Sequence, residues 1–120
     1  MVILIKIMNN FKKRILIDLD GVLNEYDGNF DKLLIPPLKK GAKEFIKDLS
    51  KEFELYLFTS RNLLLSAKWL IENNIDHYFC DITNIKLPSY IFIDDRAIKF
   101  EGDYIIALNE INEFSTYWKK

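Results

Sequence analysis

Two aspartates separated by one residue follow an apolar run near the start of the chain. Asp18 and Asp20 come directly after residues 15–17, and Gly21 follows them. Because side chains alternate along an extended strand, both carboxylates point to the same side, and the glycine lets the backbone turn sharply. Two aligned carboxylates at the end of a buried strand are unfavourable unless a cation lies between them. The pair therefore predicts a site for Mg²⁺, which prefers hard oxygen ligands.

Later apolar runs lead to further polar residues that suit the same chemistry. Thr59, Lys86 and the adjacent pair of Asp94 and Asp95 each lie at or near the end of such a run. Phosphoryl transfer depends mainly on positioning and on the neutralisation of charge. Carboxylates, a hydroxyl group and an ammonium group supply both, so the set predicts a phosphoryl-transfer site.

Each residue of this set has a predicted role. Asp18 is the expected nucleophile, because a carboxylate can attack phosphorus and form an aspartyl-phosphate. Asp20 is expected to protonate the leaving oxygen and then to deprotonate the water that cleaves the intermediate. Thr59 would donate a hydrogen bond to a phosphoryl oxygen, helped by nearby backbone N–H groups. Lys86 would supply positive charge to the nucleophile and the phosphate.

The predicted site has a metal-binding part and a substrate-binding part. The predicted metal ligands are Asp18, Asp20 (through its backbone carbonyl) and the pair Asp94 and Asp95. One aspartate of that pair is expected to bind the ion and the other to act as a neighbouring acceptor, and which one does which stays open. The predicted substrate-binding residues are Thr59, Ser60, Arg61 and Lys86. For Arg61 and Arg96 two interpretations stay open, since each either binds substrate phosphate or pairs with a carboxylate of the site.

Four motifs in this order resemble those of the haloacid dehalogenase (HAD) superfamily of aspartate-nucleophile phosphohydrolases. Residues 18–23 (DLDGVL) are similar to its first motif, and Thr59 to its second. Lys86 is similar to the third, and residues 91–95 (IFIDD) to the fourth. The match spans nearly the whole chain, although the lysine lies only eight residues before Asp94, which is shorter than in many members.

The resemblance implies a Rossmann-like sheet with strand order 5-4-1-2-3 and dependence on Mg²⁺. It also implies that an aspartate at the position of Asp20 marks phosphatases and phosphotransferases rather than dehalogenases. Family members usually carry a cap domain, but the segments between the motifs are too short for one. The chain therefore resembles a small member without a cap. Its open site suits a large substrate, or closure by a second subunit or by the loop of residues 24–35.

The pattern of apolar residues predicts the elements that hold these side chains. Strands are predicted at residues 15–19, 53–58, 78–82, 90–93 and 104–108, and helices at residues 39–50, 62–73 and 110–118. This alternation predicts a three-layer α/β fold with a parallel sheet between helices. Ligands of such sheets bind at the carboxyl ends of the strands, where Asp18, Thr59 and Asp94 would meet.

Length and composition are those of one globular domain, residues 1–120. Residues 1–13 are predicted to be an N-terminal extension or an extra edge strand. The net charge of −1 offers no basic patch for nucleic acid, and no apolar run is long enough to span a membrane. A single cysteine, Cys80, fits the reducing cytoplasm.

Two other classes of function stay open. A catalytically silent HAD-like binding or regulatory subunit would keep the fold without turnover. A response-regulator receiver also uses aspartates, a threonine and a lysine, but it places its acidic pair first, whereas here the pair comes last. The sequence thus favours a phosphohydrolase, as a monomer or a homo-oligomer, acting on a phosphorylated substrate of unknown identity.

Overall fold

The computed structural model describes residues 11–119. The first ten residues of the predicted N-terminal extension therefore lie outside the described residues. The elements, in chain order, are β1 (Lys13–Asp18), α1 (Ala42–Ser50), β2 (Phe53–Phe58), α2 (Leu63–Glu72), a 3₁₀ turn (Asp76–Tyr78), β3 (Phe79–Thr83), β4 (Ile91–Ile93) and α3 (Tyr104–Glu113). None of the helices in this part of the chain has the length and apolar character needed to cross a membrane.

The four strands form one parallel sheet in the order β3-β2-β1-β4. This confirms the predicted α/β class and its Rossmann-like parallel sheet. Listed from its opposite edge, the sheet has the order β4-β1-β2-β3, which agrees with the 4-1-2-3 part of the expected order 5-4-1-2-3. β1 is central, and it pairs with β2 from Lys13 opposite Phe53 to Asp18 opposite Phe58. The carboxyl ends of β1 and β2 therefore lie side by side.

The hydrophobic core lies on one face of the sheet. Side chains alternate along a strand, so Ile15 and Ile17 of β1 point to the same face as Leu55 and Leu57 of β2. They form one buried cluster with residues of the first two helices, namely Ala42, Ile46, Trp69 and Leu70. This packing holds β1 and β2 in register, and so it positions the residues that follow their carboxyl ends.

The predicted fifth strand at residues 104–108 is wrong, because this segment begins α3. The side chain of Asp103 accepts hydrogen bonds from the backbone N–H groups of Ile105 and Ile106, at 2.9 and 3.2 Å. Such a cap satisfies donors that the first helical turn leaves free, and here it outweighs the strand preference of the β-branched residues. The predicted closing helix at residues 110–118 accordingly begins earlier, at Tyr104, and ends at Glu113.

The connections between successive strands carry α1, α2 and one long loop. α1 lies between β1 and β2, and α2 lies between β2 and β3. The long loop that precedes α1 is tied back by a single bridge between Asn24 and Leu38. The carboxyl edge of the sheet is thus bordered by this loop and by the start of α2.

Candidate functional site

The site begins where the strands end. Asp18 is the last residue of β1, Thr59 directly follows β2, and Asp94 directly follows β4. Because these strands are parallel and adjacent, the three residues meet at the carboxyl edge of the sheet, as the sequence predicts. Side chains of this edge belong to segments that are far apart in the chain, so the fold itself assembles the site.

Three carboxylates converge at this edge. Asp18, Asp94 and Asp95 each offer an oxygen atom, and these oxygens lie within 4.8 Å of one another. We call these residues the acidic triad. Three carboxylates so close together repel one another when all are ionised, unless a cation neutralises them. The donor set consists of hard oxygens, so it fits Mg²⁺ or a similar ion.

The surroundings of Asp18 disfavour its charged form. Burial, the negative charge of Asp94 and a hydrogen bond with Asp95 together raise the pKa of Asp18 to about 8, and burial contributes most. The backbone N–H of Leu19, which donates to Oδ1 of Asp18 at 2.9 Å, acts against this rise. A nucleophilic carboxylate must be ionised, so Asp18 requires a positive charge close by.

Asp95 is held from two sides. The indole Nε1–H of Trp118 donates a hydrogen bond to Oδ2 of Asp95 at 2.5 Å. A Cβ atom at Gly21, whose φ is +81°, would overlap this oxygen and would lie 2.8 Å from Cγ of the same carboxylate. A side chain at position 21 would therefore strain the backbone and collide with Asp95. Gly21 therefore makes room for the carboxylate of Asp95.

Asp20 lies apart from the acidic triad in its contacts. Its Oδ2 accepts a hydrogen bond from Nε of Arg61 at 2.7 Å, and its Oδ1 accepts one from Nδ2 of Asn24 at 3.0 Å. The Arg61 side chain is 1% exposed, so this ion pair is well shielded from water. Each carboxylate oxygen has a second lone pair, so Asp20 can still accept a proton. The carboxylate of Asp20 is thus oriented by partners rather than by the triad.

Thr59 and Arg61 form a tight turn after β2. The hydroxyl oxygen of Thr59 accepts a hydrogen bond from the backbone N–H of Arg61 at 3.1 Å. Nδ2 of Asn84 donates to the backbone carbonyls of Thr59 and Arg61. Thr59 is buried, whereas Ser60 between them is exposed. Within this turn the hydroxyl proton of Thr59 remains available as a donor.

Lys86 lies at the same edge but outside these contacts. Its ammonium group stands over the ring of Phe92, 4.6 Å from the ring centroid. Lys86 and Asp94 line the same surface cavity, yet no ion pair within residues 11–119 joins Lys86 to the acidic triad. Lys86 therefore lies near Asp94, as the sequence predicts, but its ammonium group contacts the ring of Phe92 rather than a carboxylate.

The structure also assigns site contacts to residues that the sequence does not single out. Asn24 is buried, and its Oδ1 accepts a hydrogen bond from the backbone N–H of Gly21 at 3.1 Å. Asparagine side chains often hydrogen-bond to backbone groups a few residues away, so an asparagine close to a turn glycine is a local signal for such a contact. Trp118 and Asn84 carry no comparable signal, because the distances in sequence to their partners are large.

No family model matches the chain, and the search of curated proteins found no match. Among solved structures, the chain is similar to a conserved protein coded by a locus of Bacteroides thetaiotaomicron. The two are 24% identical with a TM-score of 0.58, over 89% of this chain and 95% of that one. At this identity the likeness shows the fold alone, and it agrees with the Rossmann-like α/β architecture described above.

Proposed function

We propose that the protein is a Mg²⁺-dependent phosphohydrolase that cleaves phosphate monoesters through an aspartyl-phosphate on Asp18. The observation that supports this most is the convergence of the acidic triad, with oxygens within 4.8 Å of one another, at the carboxyl edge of a parallel sheet. Ligand sites of such sheets lie at this edge. The order of the four motifs, which resembles that of HAD phosphohydrolases, supports the same proposal.

The residues of the triad have separate tasks in this proposal. A bound Mg²⁺ would supply the positive charge that offsets the repulsion among Asp18, Asp94 and Asp95 and the charge on the phosphoryl oxygens. One oxygen of Asp18 attacks phosphorus, and the bond between phosphorus and the leaving oxygen breaks. The N–H of Leu19, which already donates to Asp18, keeps the nucleophile in one orientation.

Asp20 is the proposed general acid and base. Arg61 and Asn24 orient its carboxylate, and the lone pairs that they leave free carry the proton. Asp20 gives this proton to the leaving oxygen, and it then takes one from the water that attacks the aspartyl-phosphate. The hydroxyl of Thr59 donates to a phosphoryl oxygen, and Lys86, which is exposed, turns from Phe92 toward the bound phosphate.

Turnover of phenyl phosphate by the purified protein tests this proposal. We expect hydrolysis in the presence of Mg²⁺, its loss on addition of EDTA, and its loss in Asp18→Asn. Asp81→Asn is the matched control, since Oδ1 of exposed Asp81 accepts a hydrogen bond from the next backbone N–H, as Oδ1 of Asp18 does. The control should keep its activity.

The same experiment separates the alternatives. Binding of Mg²⁺ without turnover of any phosphate ester would favour a catalytically silent binding or regulatory subunit. A stable phosphoprotein that forms from a small phosphodonor and is not hydrolysed would favour a receiver-like phospho-acceptor.

We propose that the reaction takes place in the cytoplasm, because the single cysteine, Cys80, is exposed and fits a reducing compartment.

A further inference from the structure

A cavity of about 590 Å³ opens beside the site, between the loop that precedes α1 and the start of α2. Its volume lies in the range of small-molecule pockets, about 300–1,000 Å³. The residues that line it include Phe30, Leu33, Leu64, Lys32, Lys68 and Arg61. We call it the Arg61 cavity. It is separate from the acidic triad, none of whose members lines it.

Arg61 connects this cavity to the reacting groups. Its Nε donates to Asp20, the proposed acid and base, and its Nη1 donates to the backbone carbonyl of Asp31, each at 2.7 Å. Its Nη2 is buried and has no hydrogen-bond partner among the described residues. A buried donor without a partner is unfavourable. Arg61 therefore lies between the cavity and Asp20, so a ligand in the cavity is next to the residue that orients the proposed acid and base.

The apolar side of the cavity is exposed to water in the absence of a ligand. Leu64 is 81% exposed, Leu33 is 74% exposed and Phe30 is 57% exposed. The Phe30 ring also stacks on the guanidinium group of Arg61, 4.5 Å from the ring centroid. Neighbouring apolar groups of this kind gain free energy when a ligand body covers them. The surface next to Arg61 therefore fits the apolar face of a ring.

The charge of the cavity is positive. Lys32 and Lys68 line it, and no acidic residue of the described chain does. Lys68 lies 4.0 Å from Glu72 in an exposed pair, and such pairs hold their members weakly. Both ammonium groups are thus available to a negatively charged substituent at the rim of the cavity.

We propose that the Arg61 cavity binds the leaving group of the substrate, and that this group is an aromatic ring bearing a second negatively charged substituent. This inference rests on the proposed phosphohydrolase activity, and it names the class of substrate. The ring covers Phe30, Leu33 and Leu64, while its negative substituent meets Lys32 and Lys68. The phosphate ester itself extends past Arg61 toward Asp18.

Three phosphate esters with similar leaving phenols test the substrate class: phenyl phosphate, 2-naphthyl phosphate and 6-carboxy-2-naphthyl phosphate. We expect kcat/KM to rise in this order, by about tenfold or more between the first and the last. Leu64→Ser should reduce the ratio between naphthyl and phenyl esters. Lys32→Gln should reduce the ratio between the carboxylated and the plain naphthyl ester.

Matched controls lie outside the Arg61 cavity. Leu108 of α3 is 60% exposed, the Lys51 side chain after α1 is 66% exposed, and neither lines the cavity. Lys51 lies 3.3 Å from Asp48 in an exposed pair, much as Lys68 lies near Glu72. Leu108→Ser and Lys51→Gln should leave all three kcat/KM values and both ratios as they are in the original protein.

The outcomes distinguish this inference from the proposed function. Turnover of all three esters with equal kcat/KM, or ratios that the cavity variants do not change, would overturn the inference and leave the phosphohydrolase intact. Absence of turnover with every ester would overturn the proposed function and the leaving-group assignment with it. Titration with 6-carboxy-2-naphthol, the product of the third ester, gives a second readout. Its binding should weaken at least about threefold in Leu64→Ser, and a titration without binding contradicts the inference.

Discussion

The indole of Trp118 donates a hydrogen bond to the carboxylate of Asp95 across 23 residues of chain. Trp118 also packs edge-on against Tyr26, with ring centroids 5.2 Å apart. The segment after α3 therefore returns to the carboxyl edge of the sheet and orients one member of the acidic triad. A donor that orients a metal ligand typically strengthens metal binding, as hydrogen bonds to ligating groups do in known sites.

We predict that Trp118→Phe weakens the affinity for Mg²⁺ by about tenfold, because the ring packing is kept while the donor to Asp95 is lost. Calorimetric titration with Mg²⁺ measures this. Trp69→Phe is the control, since its indole Nε1 donates to the backbone carbonyl of Pro36 and not to a carboxylate. Unchanged affinity in Trp118→Phe would mean that the hydrogen bond to Asp95 does not support metal binding.

Gly21→Ala is predicted to destabilise the protein by about 2–5 kcal/mol, because a left-handed backbone and a steric overlap act together. The new Cβ would overlap Oδ2 of Asp95. Gly102→Ala separates the two causes, since Gly102 has a φ of +91° and no atom lies within 4 Å of the place that its Cβ would take. Gly102→Ala should lower the free energy of unfolding, measured with urea, by only about 1–2 kcal/mol. Equal losses in both variants would refute the overlap.

Asp18→Asn is predicted to stabilise the metal-free protein at alkaline pH. The pKa of Asp18 is about 8 in the folded protein against 3.8 ordinarily, so the folded state holds an extra proton between these values. The contribution of Asp18 to the free energy of unfolding is fully present below pH 4, and it is lost as the pH rises through 8. One pKa unit corresponds to about 1.4 kcal/mol, so we expect a gain of at least about 1 kcal/mol at pH 9.

Thermal unfolding in EDTA at pH 5.5 and pH 9 measures this gain. Asp81→Asn, whose carboxylate is exposed and has the same kind of backbone hydrogen bond, should show none. Mg²⁺ should reduce the difference, since a cation offsets the repulsion that Asp18→Asn removes. A melting temperature of Asp18→Asn that falls with pH as steeply as that of the original protein would contradict the prediction.

Asp20→Asn is predicted to slow the hydrolysis of alkyl phosphates more than that of aryl phosphates. Acid–base assistance contributes about 10²–10⁴-fold, and an aryl oxide needs little protonation when it leaves. Asp18→Asn should show no such difference, because the nucleophile is needed whichever group leaves. Single-turnover measurements on both esters isolate the first step. Equal losses for Asp20→Asn on both esters would mean that Asp20 serves only to hold Arg61.

Much of this protein can be read from the sequence because its strongest signals are local. Continuous apolar runs predict the buried strands β1 and β2, and the residue that ends each run is placed by the end of the strand itself. Asp18, Thr59 and Asp94 therefore meet at one edge once the sheet is parallel. The strand predicted at residues 104–108 fails because the pattern of Ile105 and Ile106 suits a strand as well as a helix, and the cap from Asp103 decides between them.

The sequence by itself determined the α/β class, the parallel sheet and the edge at which the carboxylates gather, whereas the order of the strands was implied only by the resemblance to HAD proteins. Only the tertiary structure decided which partner each polar group takes. Arg61 pairs with Asp20, and Trp118 orients Asp95, although 41 and 23 residues separate the members of these pairs. Periodicity specifies which face a residue points to within its own element, whereas a contact between distant segments depends on how the loops return to the sheet.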